Sequence, residues 1–174
     1  MMVMQRSSGI LMPVFSLPSP YGIGTLGQAA RDFIDFLKAA GQSWWQILPV
    51  GPTGYGDSPY QSFSAYAGNP YFIDLDLLRE DGLLTQAEID SAFWGSDPGR
   101  VDYGALYQNR LTVLAAACRR GWQRDAGAVA RFSAENHGWL PDYALFMALK
   151  QHFNGQPWQT WPEDIRLRRP EALE

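Results

Sequence analysis

Two short apolar runs, Ile10-Leu-Met-Pro-Val-Phe15 and Trp44-Trp-Gln-Ile-Leu48, bracket a stretch in which Leu26, Ala29, Ala30, Phe33, Ile34, Leu37 and Ala40 recur at helical spacing. The first run is bounded by Gly9 and Ser16-Leu-Pro-Ser-Pro20, the second by Pro49-Val-Gly-Pro52. Runs of this length between turn formers suit buried strands, and the stretch between them suits a helix laid across the pair. Strand, helix, strand is the simplest reading: a βαβ unit, hence parallel strands with a right-handed crossover. Thr25 and Gln28 offer a capping box at the helix start, and Gly41 a C-terminal stop.

Beyond Asp76 the pattern turns helical. Thr85-Gln-Ala-Glu88 is a second capping box, Leu106 to Arg120 an amphipathic helix ending at Gly121, Ala126 to Glu135 another, and Leu140 to Asn154 another, stopped by Gly155. The chain shows no internal repeat and no low-complexity segment. Two parallel strands with both faces to cover do not make a stable sheet alone, so the expectation is a piece of a larger barrel.

Composition bounds what such a chain can do. Of its 174 residues 46% are hydrophobic, including seven Trp, eight Tyr and nine Phe, enough for a sizeable core. Net charge is -4, and the 14 basic residues are scattered apart from short clusters such as Arg166, Arg168 and Arg169, which argues against a nucleic-acid partner. Cys118 has no second cysteine to pair with and reads as a small buried helix residue. The apolar stretch from Gly9 to Phe15 contains Pro13 and is far short of the roughly 20 residues of a membrane span. It also lacks a small-residue cleavage site, so no membrane partner is expected and the cytoplasm is the expected location.

Several motifs invite chemistry. Gly22-Ile-Gly-Thr-Leu-Gly27 fits the dinucleotide-binding pattern, but no acidic residue ends the second run, so the glycines read as a tight turn and close packing. Asp74 and Asp76 read as structural, with Asp76 at the N-cap of an apolar helix. His137 and His152 lack partners at metal-ligand spacing, and no G-x-S-x-G marks a serine nucleophile; neither metal nor cofactor is expected.

The stretch from Gly51 to Tyr71 is different, holding four Gly, three Pro and, before Tyr71, four Tyr or Phe, with Asp57 nearly its only charge. So long a loop, so rich in aromatics, reads as structured, placed after a strand's C-terminal end where ligands bind in βα architectures. Tyr55-Gly-Asp-Ser-Pro-Tyr-Gln61 combines flat apolar faces with short polar groups, which is what a sugar ring requires. The same composition also describes a Gly/Pro-rich loop packed by its own tyrosines.

The run Leu48-Pro-Val-Gly-Pro-Thr-Gly-Tyr-Gly-Asp-Ser-Pro-Tyr-Gln-Ser-Phe-Ser-Ala-Tyr-Ala-Gly-Asn-Pro-Tyr71 closely resembles the motif of the amylomaltases, the bacterial 4-α-glucanotransferases also called disproportionating enzymes. Ser8-Gly-Ile-Leu11, Ser16-Leu-Pro-Ser-Pro-Tyr-Gly-Ile-Gly24, Phe72-Ile-Asp-Leu75 and Trp139-Leu-Pro-Asp-Tyr-Ala-Leu-Phe146 extend the resemblance over essentially the whole chain. It implies an α/β fold, the N-terminal part of a (β/α)8 TIM barrel whose first two strands are Ile10 to Phe15 and Ser43 to Val50. Residues 1–76 would hold the barrel start with its substrate loop, and residues 77–174 an incomplete, inserted, mainly helical subdomain.

The resemblance further implies a retaining double displacement on maltodextrins, in which two carboxyls about 5 to 5.5 Å apart form and resolve a covalent glucosyl-enzyme. In the family those carboxylates lie on later strands, beyond Glu174, and a complete barrel typically needs about 250 residues. An N-terminal fragment, inactive alone, is therefore expected; a standalone glucan-binding module without catalysis is the alternative. By resemblance Tyr60 stacks on the glucose ring at the cleavage site, and Ser58, Asp57 and Gln61 shape the neighbouring subsites. The same resemblance implies an accessory glucan contact at Tyr55 with Tyr103. Asp57 and Gln61 equally suit a role in holding the loop's own backbone. Uncovered barrel surfaces would make the fragment self-associate.

Overall fold

In the computed structural model, which describes residues 6–173, the strand–helix–strand unit forms with shorter strands than the apolar runs suggest. Strands β1 (Gly9–Leu11) and β2 (Trp44–Gln46) pair in parallel, Gly9 opposite Trp44 and Leu11 opposite Gln46, with helix α1 (Gln28–Ala39) between them in sequence. Pairing ends where Met12 donates its amide to the Gln46 carbonyl at 3.0 Å, because the Met12 carbonyl is taken by the Trp45 indole at 2.7 Å and the chain then turns at Val14–Ser16. The rest of the expected first strand becomes a single 3-10 turn, Val14–Ser16, and β2 stops at Gln46 rather than running to Val50.

The expected capping box at α1 does not form. Gly27 is the N-cap and makes no side-chain bond; Gln28 instead donates to Asp32 at 2.7 Å, and the Thr25 hydroxyl donates to the Asp74 carboxylate. Gly41 does end the helix, in the left-handed region at φ +70°. The cap of the next helix is likewise shifted. Asp74, not Asp76, caps α2 (Leu75–Glu80), accepting the Leu77 amide at 3.0 Å, while Asp76 accepts the Tyr21 hydroxyl at 2.8 Å and pairs with Arg79 at 3.1 Å. The Thr85–Glu88 box forms as read and opens α3 (Gln86–Asp90).

Helix α4 spans Tyr103–Arg124, starting a turn earlier than the periodicity suggests because Asp102 caps it through the Ala105 amide at 2.9 Å. It also runs through Gly121, whose position alone does not break a helix that has neighbours to pack on. Its buried residues Leu106, Arg110, Val113 and Ala117 follow one face at alternating spacings of four and three. Cys118 is exposed, against expectation: it stands about 100° around the helix from Ala117, just off that face.

Two apolar clusters hold residues up to 126 together. Val14, Leu17, Ile23, Ala30, Tyr71, Phe72 and Leu106 form one; Tyr21, Leu75, Leu84, Ile89, Val113 and Ala117 form the other. Both mix α4 with the loop after β1, and the first also takes in Tyr71 and Phe72 at the end of the loop after β2, so long-range packing, at roughly 1.5 to 3 kcal/mol for each fully buried aliphatic side chain, fixes those loops. The sheet is less covered: Leu11 and Trp44 stand 55% and 66% exposed. The chain divides into two compact units, residues 1–126 and 127–174. The second contains α5 (Ala126–Glu135, all but its first residue), α6 (Leu140–His152), α7 (Glu163–Arg166) and α8 (Pro170–Leu173). There α6 stops at His152, short of Asn154, and Trp161 packs between Phe146 and Phe153 with ring centroids 5.7 and 5.4 Å away. No helix among the described residues is long and apolar enough to cross a membrane.

Candidate functional site

The loop after β2 is built on its own backbone. An antiparallel bridge between Thr53 and Ser62 closes its neck, the Asp57 amide returns to the Gly54 carbonyl at 3.1 Å, and the Gln61 amide returns to the Ser58 carbonyl at 3.0 Å. Asp57 sits in the left-handed region at φ +52°, directly after Gly56 at φ +93°. Aspartate tolerates that region better than most side chains, which accounts for its place at the reversal. At its far end the loop is anchored by Asn69, whose amide donates to the Val50 carbonyl at 2.7 Å and whose side chain accepts the Tyr71 amide at 2.9 Å.

This frame buries some aromatics and presents others. Tyr71 enters the first apolar cluster, whereas Tyr55 and Tyr60 project into solvent, Tyr55 fully and Tyr60 with 73% of its surface exposed. Ser58 lies beneath Tyr60, its hydroxyl accepting the Tyr60 amide at 3.4 Å; Gln61 is exposed beside it. The Thr53 hydroxyl donates to Asp57 at 3.5 Å, a long bond. Loop and α4 meet at the turn Pro70–Phe72. Burial pushes the Asp57 carboxyl above the ordinary carboxylate range, and its negative charge adds to the burial that raises the phenols of Tyr71 and Tyr103. The phenols therefore remain neutral donors at neutral pH.

Asp57 therefore acts electrostatically on Tyr71 and Tyr103, although 46 residues separate Asp57 from Tyr103 in sequence. Two further residues belong to this neighbourhood and were not singled out from sequence: Tyr107, exposed on α4 and acting electrostatically on Tyr71, and Arg110. Their signal was available, since positions 103, 107 and 110 share one helical face. A cleft of about 430 Å3 lies between the loop after β1 and residues 94–101, but none of residues 55–61 lines it. Among the described residues no cluster of His, Cys, Asp and Glu is arranged to hold a metal ion. The three glycines of the dinucleotide-like motif serve packing: a Cβ on Gly24 would lie 2.1 Å from the Val14 carbonyl oxygen, and one on Gly27 would lie 1.9 Å from the Asp74 carboxylate.

The same sequence pattern and fold recur in known carbohydrate-active proteins. The profile of the 4-alpha-glucanotransferase family matches residues 12–174, and the chain belongs to that family. A 4-alpha-glucanotransferase of Thermus thermophilus is 50% identical across 99% of this chain, and one of Clostridium butyricum is 48% identical across 94%. An amylomaltase from Streptococcus agalactiae, solved in complex with acarbose, superimposes on 97% of the chain with a TM-score of 0.91 at 43% identity. In each case the chain spans only 34% of the relative's length, about a third.

Proposed function

We propose that this chain is the glucan-contacting N-terminal portion of an amylomaltase-type 4-α-glucanotransferase, which moves α-1,4-glucan segments between maltodextrins by a retaining double displacement. The observation that carries the proposal is the exposed Tyr60 ring on a loop whose backbone is closed by its own hydrogen bonds. A flat ring held out on a preformed loop suits the C–H face of a glucose unit, since binding then orders little that was free before. The related amylomaltase solved with acarbose supports an oligosaccharide as the ligand.

In this reading Tyr60 stacks on the sugar at the cleavage site, with Ser58 and Gln61 offering hydrogen bonds at the adjoining positions. Asp57 serves both the loop and the ligand, while Tyr55 and Tyr103 make an accessory contact with the same glucan chain. Residues 1–76 begin a (β/α)8 barrel and residues 77–174 are inserted beside its active face; the first five residues and Glu174 lie outside the described structure. The nucleophile and the acid/base, both carboxyls, come from residues beyond Glu174, and the enzyme works in the cytoplasm without cofactor or metal.

The test is a maltoheptaose titration of the chain and its Tyr60→Ala variant, followed by intrinsic fluorescence. Loss of one stacked ring should weaken binding roughly five- to tenfold. Equal affinity in the two proteins would remove Tyr60 from the site.

A further inference from the structure

Arg110 is wholly buried in the middle of α4. Its Nη1 donates to the Tyr21 carbonyl at 3.3 Å and its Nη2 to the Ile73 carbonyl at 2.6 Å. Its Cζ lies over the Trp94 ring, 5.7 Å from the centroid. Both acceptors are main-chain carbonyls, not carboxylates, and Nε finds no partner among the described residues. Burial pushes its pKa down to about 10, against the opposing pull of Asp74 and Tyr71, so the group is still a cation at neutral pH.

A buried charge without a direct ion pair is costly, and a leucine or methionine would fill the same space without that cost. The position therefore needs an explanation in what the guanidinium joins. Tyr21 lies in the loop after β1, Ile73 at the foot of the loop that carries Tyr60, and Trp94 in the segment between α3 and α4. Only a planar fork with several donors can hold two carbonyls from separate segments while also sitting over a ring; a lysine ammonium is a single point of charge. Tyr103, Tyr107 and Arg110 occupy one face of α4, so the helix cannot turn at Arg110 without moving both tyrosines.

We infer that Arg110 is a positioning residue for glucan recognition: it locks α4 to the foot of the substrate loop and so fixes the face of α4 that carries Tyr103 and Tyr107. The inference rests on the reading of that loop as a glucan site. Arg110 touches no substrate and acts through the rings it sets.

The experiment uses the natural full-length protein that carries this chain, with maltotriose as substrate. Arg110→Lys keeps the charge and Arg110→Met keeps the stem; Val113→Ala, one turn along α4 in the second apolar cluster, reports on destabilisation alone. Arg110→Lys is expected to raise KM roughly tenfold with kcat within about twofold, whereas Val113→Ala lowers the melting temperature and leaves KM unchanged. An Arg110→Lys protein that melts earlier but keeps the wild-type KM would reduce Arg110 to structural glue and overturn the inference. Absence of transfer in the wild type would instead count against the functional reading itself. Should the Arg110 variants not fold, hydrogen exchange on the wild type decides. Maltoheptaose should slow exchange in residues 70–73 and 103–110 together with 54–61, and protection confined to 54–61 would overturn the coupling.

Discussion

At Gly22 the backbone sits at φ +76°, and a Cβ there would lie 2.2 Å from the Trp94 carbonyl oxygen. Gly41 has nearly the same φ, +70°, with nothing within 4 Å of where its Cβ would be. The pair separates backbone strain from steric overlap. Gly41→Ala should cost about 1 kcal/mol, and Gly22→Ala should cost more than about 2 kcal/mol because the turn must also move off Trp94. Urea midpoints check this, and equal losses would mean the close approach is not rigid. Sequence alone could assign the Gly22 motif to packing, since no acidic ribose partner followed it. It could not name Trp94 as the partner, because that contact depends on where a later segment returns. Cys118 was misread for a related reason: an apolar run shows that a helix packs, but the buried face is chosen by its neighbours, here through Arg110, Val113 and Ala117. The place of Asp57 in the loop's own backbone was legible because turn residues in a Gly/Pro-rich loop carry their own local signal, whereas ligand roles for Tyr55, Tyr60 and Asp57 came from the resemblance alone.

The elements show where local rules hold and where tertiary contacts override them. At α3 the box between Thr85 and Glu88 formed as read, and Arg120 on α4 adds a pair to Glu88 at 2.6 Å. The Arg120 bond, with the Thr85 amide and hydroxyl, holds the Glu88 carboxyl down at about 2. The folded value lies below the ordinary 4.5, so the stabilisation is present above pH 4.5 and is lost as pH falls from there through about 2. Arg120→Ala should bring Glu88 part of the way back towards 4.5 in a carboxyl NMR titration; a value still near 2 would assign the effect to the cap alone. At α1 the analogous box failed, because Thr25 had a better acceptor in Asp74, 49 residues away. The strands failed in a different way. Their apolar runs were real, but the Met12 carbonyl goes to the Trp45 indole, and three residues of β1 give β2 no more to pair with.

For the whole molecule, the exposed side chains of Ile10, Leu11, Ile34, Phe36 and Trp44 form the apolar surface of the βαβ unit. Such surface favours association, so sedimentation of the 174-residue chain should show mass rising with concentration; a compact monomer throughout would contradict that. The βαβ order and the parallel pairing could be read from periodicity, whereas the division into units at residues 1–126 and 127–174 could not, since it reflects packing density and not composition. The proposed division puts glucan contacts on this chain and the reacting carboxyls elsewhere in a transferase. Glucose release from maltotriose measures it directly, using the purified 174-residue chain beside the natural full-length protein. Glucose and longer maltodextrins are expected from the long form alone; the same products from the short chain would place the catalytic carboxyls within it and overturn that division.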